Sequence, residues 1–184
     1  LRPDTKFIGE LHGNQPSTKE ILIDLAYYLL ENQNKNDVDF LLSKTRIHII
    51  PSLNPDGFDI AKQSCNDTKG RNNAKDVDIN ANFPDLFDSI TEDLQPETRA
   101  VIDWLDQNDF VLGANFHSEA MVVDYPFDNY KNAKGSKYSA TSDDDVARAV
   151  SQVYADNHPL MKSPVNCDHF QNGIINGAEW YPTK

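Results

Sequence analysis

Residues 7–30 constrain the fold more than any other stretch. They read FIGELHGNQPSTKEILIDLAYYLL. Phe7, Ile8 and Leu11 form a short apolar run that predicts a strand. The chain then turns through His12-Gly13-Asn14-Gln15-Pro16. Ser17 or Thr18 can cap a helix, and Glu20 stands three residues after Ser17, the capping-box spacing. Ile21, Leu22, Leu25, Tyr28 and Leu29 recur at helical spacing and give this helix one apolar face. A strand that ends in a polar turn and feeds a helix is where open α/β sheets hold their sites. Here the turn carries His12 and, three residues on, Gln15, the spacing of a short metal-ligand pair.

The rest of the chain repeats the alternation. Residues 31–39 read as a polar turn rich in Asn and Asp. Arg46-Ile47-His48-Ile49-Ile50 is a second strand, apolar enough for a buried sheet position. Residues 51–57, PSLNPDG, form a loop ending in an Asp-Gly turn signal, and residues 78–85 form a compact run with a proline turn. A second helix starts at Gln95-Pro96 and runs through Ala100, Val101, Trp104 and Leu105. Residues 110–116 form a third strand with His117 at its C-terminal end, and residues 121–125 a fourth. Residues 143–157 predict a third long helix, with acidic residues at its positive end and Val146, Ala149, Val150 and Val153 as its apolar side. Residues 164–184 show no clear period. No repeat or linker interrupts residues 1–184, so the expectation is one domain of α/β layers.

The formal net charge of −12 over 184 residues argues against nucleic acid and anionic membrane as partners. No apolar run approaches the ~20 residues of a membrane span. No signal peptide is visible, and the chain starts at Leu1 rather than Met. Cys65 and Cys167 are either one disulfide or two unrelated thiols. Asn66-Asp67-Thr68 is a glycosylation sequon beside Cys65, and with the cysteines it leans toward a secreted protein.

His12 and Gln15 close together, with His117 about a hundred residues on, match how catalytic zinc sites are assembled. Three protein ligands leave a fourth position for water. Each histidine alone would be ordinary surface chemistry. His48, His158 and His169 show no comparable pairing and read as structural or solvated. Trp104, Trp180, Phe83 and Phe116 read as packing residues, Asp143-Asp144-Asp145 as helix N-terminal charge, and Glu119 as a stray carboxylate near His117.

The words around these residues change the weighing. HGNQ at 12–15, PSLNPDGF at 51–58, GRNNAKDVDINANFPD at 70–85, FVLGANFHSEAMVVDYPFD at 110–128 and GIINGAEWY at 173–181 occur in this order. Together they resemble the zinc metallocarboxypeptidases, in their N/E-type regulatory branch, in the manner of a carboxypeptidase D-like domain. The resemblance spans essentially the whole chain. It implies an α/β fold with a mixed central sheet flanked by helices, its C-terminal part missing here. It implies one Zn2+ ion at the C-terminal ends of central strands. The implied reaction is removal of one C-terminal residue, usually Lys or Arg, from a peptide or protein. His12, Gln15 and His117 stand at the three metal-ligand positions. Arg71 matches the arginine that stabilises the oxyanion, where negative charge builds during attack. Asn80 matches the asparagine that holds the substrate's terminal carboxylate, with Arg71 as its partner.

Three departures bear on catalysis. Gln15 replaces an anionic glutamate ligand, leaving the site one negative charge short. Ala81 stands where the family's Asn-Arg-Asn pattern places the cation that pairs with the substrate carboxylate, an interaction worth about 1.5–3 kcal/mol. The flap tyrosine and the general-base glutamate of the family have no matching position, and without the base nothing accepts the attacking water's proton. Two readings follow. One is a zinc carboxypeptidase domain, monomeric or part of a longer multidomain chain. The other is a catalytically inactive carboxypeptidase-like domain that binds peptides or proteins.

Overall fold

The computed structural model describes residues 2–61, 68–87, 93–118, 120–163 and 170–181. Cys65, Cys167, Asn66 and Asp67 of the sequon, His169 and Glu119 lie outside the described residues. In chain order the elements are β1 (Asp4–Ile8), α1 (Pro16–Glu31), α2 (Asn36–Lys44), β2 (Arg46–Ile50), α3 (Pro55–Ile60), α4 (Pro96–Asp106), β3 (Phe110–Asn115), β4 (Val123–Tyr125), α5 (Asp144–Asn157), β5 (Ile174–Asn176) and α6 (Gly177–Trp180). Single 3-10 turns occupy Ile79–Ala81 and Gln171–Gly173. The chain groups into two compact units, Leu1–Phe83 with Glu92–Ser118, and Pro84–Thr91 with Glu119–Lys184.

The first unit is built on a parallel sheet in the order β2-β1-β3. Parallel pairing forces crossover connections, and helices supply them, as the strand–helix alternation requires. β1 is central, so Ile8 is buried; it joins Leu11, Leu53, Ile79 and Val101 in the core, with Ile50, Phe83, Trp104 and Leu105 packed around it. Phe83 and Trp104 are therefore packing residues, as expected. β2 is an outer strand of this sheet among the described residues and is only half-buried. At the opening end of the sheet Arg46 donates to both oxygens of buried Asp4. His48 sits there too, 3.6 Å from Asp4 and against the rings of Trp104 and Phe110, a structural histidine.

Several local expectations change. α1 begins at Pro16 with Gln15 as N-cap and no side-chain cap. Thr18 instead donates to the Gln15 carbonyl and accepts from the Glu10 N–H, so it ties the helix to the turn before it. The inward stripe of α1 is Thr18, Leu22 and Leu29, while Ile21 and Tyr28 stay exposed. α2 starts inside the stretch read as a polar turn, and α3 inside the PSLNPDG loop, where the Asn54 side chain accepts from Gly57 N–H and caps it.

The second unit pairs β4 with β5 in parallel, and α5 packs on both. α5 carries Asp143 as N-cap and Asp144 and Asp145 in its first turn, the expected charge placement. Its buried face is Ser151 and Ala155, and the valine side predicted to face inward is exposed at Val146, Val150 and Val153. The small residues let the helix backbone approach the short strands closely, which the valines would prevent. Trp180 of α6 packs edge-on against Phe170 and Tyr181.

Candidate metal centre

β1 and β3 are neighbours in parallel, with Ile8 opposite Asn115 at their closing ends. Four residues past Ile8 the chain reaches His12, and two past Asn115 it reaches His117, so two imidazoles a hundred residues apart emerge on one rim. Their ring centroids are 5.1 Å apart. Gln15, at the start of α1, places its side-chain oxygen 3.2 Å from His117 Nδ1. The structure thus brings together the three residues singled out from the sequence. His12 and Gln15 are almost fully buried.

Asp78 is the residue that sequence reasoning missed. Its Oδ1 lies 3.0 Å from His12 Nε2 and accepts from the Asn80 N–H at 2.9 Å. Its Oδ2 accepts from Arg71 Nε at 3.3 Å. Burial raises the Asp78 pKa, but the His12 hydrogen bond, with the His12 and Arg71 charges, outweighs this and holds it at about 2. A carboxylate on the outer nitrogen of an imidazole fixes ring orientation and leaves the inner nitrogen for a metal. His12 Nδ1 is indeed buried without a hydrogen-bond partner among the described residues, and so is Gln15 Nε2. The signal for Asp78 was available: an Asp two residues before Asn80, inside the segment that carries both Arg71 and Asn80.

The donor set fits a zinc ion on that observation, with two imidazoles and one amide oxygen. Among the described residues no three His, Cys, Asp or Glu side chains converge as a metal-binding group. The amide is the reason: where a third anionic ligand would complete such a group, Gln15 brings a neutral oxygen. Arg71 is half-buried and bonded to Asp78; Asn80 and Ala81 are exposed on the 3-10 turn. So the residues carried by the resemblance lie around one ion-paired cluster, with His12, Asp78 and Arg71 in a continuous chain.

The structure is thus an α/β protein with two imidazoles at the closing ends of adjacent parallel strands, each ring held by a polar partner. The zinc carboxypeptidase family model matches residues 1–184, and the chain belongs to that family. It is 42% identical to mouse (Mus musculus) carboxypeptidase M, over 99% of this chain and 43% of that protein. It is 38% identical to the carboxypeptidase N catalytic chain of Rattus norvegicus, over 98% of this chain and 46% of that protein. It is 37% identical to carboxypeptidase D of Drosophila melanogaster, over 98% of this chain and 14% of that protein. The chain thus spans less than half the length of these relatives. No helix among the described residues is long and apolar enough to cross a membrane.

Proposed function

We propose that this chain carries the metal-binding part of a zinc metallocarboxypeptidase domain, whose reaction is removal of a C-terminal residue, Lys or Arg, from peptides or proteins. The observation that carries the reading is a buried His12 Nδ1 with no hydrogen-bond partner among the described residues, on a ring 5.1 Å from that of His117, which in turn meets the Gln15 oxygen. His12, Gln15 and His117 would hold one zinc ion, which when bound polarises a substrate carbonyl and acidifies water. Asp78 keeps His12 oriented through Nε2. Arg71, fixed by Asp78, supplies the cation for a developing oxyanion or a terminal carboxylate, and Asn80 adds an amide for the same carboxylate. A basic substrate residue suits a chain of net charge −12. The family model spans both compact units, which supports reading residues 1–184 as parts of one peptidase-like domain. Cys65, Cys167 and the Asn66 sequon support a place outside the cell or in the secretory pathway.

A second reading is favoured by Gln15 and Ala81 together: a domain that holds a peptide C-terminus without cleaving it. One experiment separates the two. Zinc per chain is measured after purification in metal-limited buffer, alongside release of Arg from a peptide ending in Arg. Stoichiometric zinc with chelator-sensitive release supports the enzyme. Peptide binding without release supports the binding module, and absence of zinc at micromolar excess refutes the metal centre. Gln15→Glu with Ala81→Arg should tighten zinc by about 10–100-fold, since it restores a direct anionic ligand and outer-shell changes alone have effects of that size.

A further inference from the structure

Asn54 is wholly buried, and its carbonyl accepts from Phe58 N–H at 3.1 Å. Its backbone N–H donates to the Glu10 carbonyl at 3.0 Å. Its side-chain oxygen accepts from Gly57 N–H at 2.9 Å. Its two amide hydrogens go to two different loops: Nδ2 lies 3.2 Å from the Leu11 carbonyl and 3.2 Å from the Arg71 carbonyl. Leu11 immediately precedes His12, and Arg71 is itself the bound cation of the site. One side chain therefore spans the backbones that carry the imidazole and the guanidinium.

Three glycines make this reach feasible. A Cβ on Gly13 would land on the Gly57 carbonyl carbon and the Phe58 nitrogen. A Cβ on Gly70, whose φ is +77°, would land on the Gly57 oxygen. A Cβ on Gly57 would press into the Asn54 amide, 2.7 Å from its Oδ1. The loop after His12 and the loop before Arg71 thus both close on the first turn of α3, with no side chain between backbones.

We infer that Asn54 is a positioning residue: seated under Gly13, Gly57 and Gly70, its amide locks the His12 loop to the Arg71 loop and sets the placement of imidazole and guanidinium on Asp78. The inference rests on the reading of His12 and Arg71 given above. It explains why the amide is required and not merely a cap. Both amide hydrogens face carbonyl oxygens, so a carboxylate at the same place repels both. A serine keeps the cap to Gly57 but reaches neither carbonyl.

The test uses the full chain, metal-free, with 15N labelling, and Asn54→Ser and Asn54→Asp as variants. In the parent, His12 shows one ring tautomer protonated at Nε2, and Arg71 Nε–H stands apart from free arginine. Asn54→Ser should give mixed His12 tautomers and return Arg71 Nε–H toward the free value, with the far-UV spectrum unchanged. Zinc affinity by chelator competition should fall about 10–100-fold, as for other outer-shell losses. Unchanged ring and guanidinium signals in a folded Asn54→Ser chain would overturn the inference, because loss of a helix cap alone is already excluded. If neither variant folds, solvent exchange of the Asn54 amide hydrogens in the parent decides: strong protection supports the inference, and free exchange refutes it. A parent that binds no zinc sinks the metal-centre reading and leaves the metal-free signals to judge Asn54.

Discussion

His12 shows how one side chain acquires chemistry from its surroundings. Its position in a polar turn says little by itself; Asp78 on Nε2, and a buried Nδ1 with no hydrogen-bond partner among the described residues, make it a ligand candidate. Gln15 was visible as a neighbour three residues away, but its oxygen facing His117 depends on where β3 ends. In the second unit Asp128 carries the opposite electrostatic lesson. Burial, then the charges of Asp124 and Asp85, push its carboxyl up to about 6. The residue is exposed, yet its Oδ1 lies where a Gly177 side chain would be. Since the folded pKa exceeds the unfolded value, folding favours the neutral acid. Stability is then highest below about pH 4 for this group and declines as pH rises through 6. Asp128→Asn should therefore raise Tm at pH 7.5 and leave it unchanged at pH 4. Discounted for solvent screening, the gain is about 1 kcal/mol or less, or about 2–4 °C. Paired thermal melts at the two pH values check this, and equal shifts at both would refute it.

At the scale of elements, Pro16, Pro55 and Pro96 each stand at the first helical position, yet of these starts the one legible in the sequence is that at Pro96: the capping pattern predicts α1 after a Ser17 or Thr18 cap, and Pro55 reads as part of a loop. α3 is capped by its immediate neighbour Asn54, whereas the start of α4 is held by a residue farther back in the chain. α4 has no cap from Gln95. Buried Asn82, thirteen residues upstream, accepts through one oxygen from Gln95 N–H at 2.8 Å and from the Thr98 hydroxyl at 2.8 Å. Asn82→Ala leaves both donors buried and unpaired, so it should cost about 2–4 kcal/mol, read from the urea midpoint at unchanged m-value. A loss under about 0.5 kcal/mol would show that water replaces the amide. α5 taught the reverse: its valine stripe gave a clear helical period, but the strands beneath accept only Ser151 and Ala155. Periodicity reports that a helix has two faces, and packing decides which one is inside.

At the scale of the whole molecule, the sheet of the first unit carries a liability that follows from its order. β3 is an edge strand among the described residues, with Val111 and Leu112 exposed. Unpaired backbone groups with apolar side chains invite pairing between chains. The chain should therefore associate as its concentration rises, and Val111→Lys should suppress this, since a charge on an edge strand opposes pairing. Light scattering across a concentration series checks it; equal association in both chains would place the contact elsewhere.

Strand–helix alternation and a handful of short words with fixed residue types were enough, by themselves, to determine the α/β class and the family, because both depend on local patterning and order along the chain. Tertiary structure alone decided which carboxylate backs His12, which amide ties two loops together, and which face of α5 is hidden. Those outcomes are contacts between segments far apart in the chain, and their energies exist only once the strands have fixed how closely backbones approach.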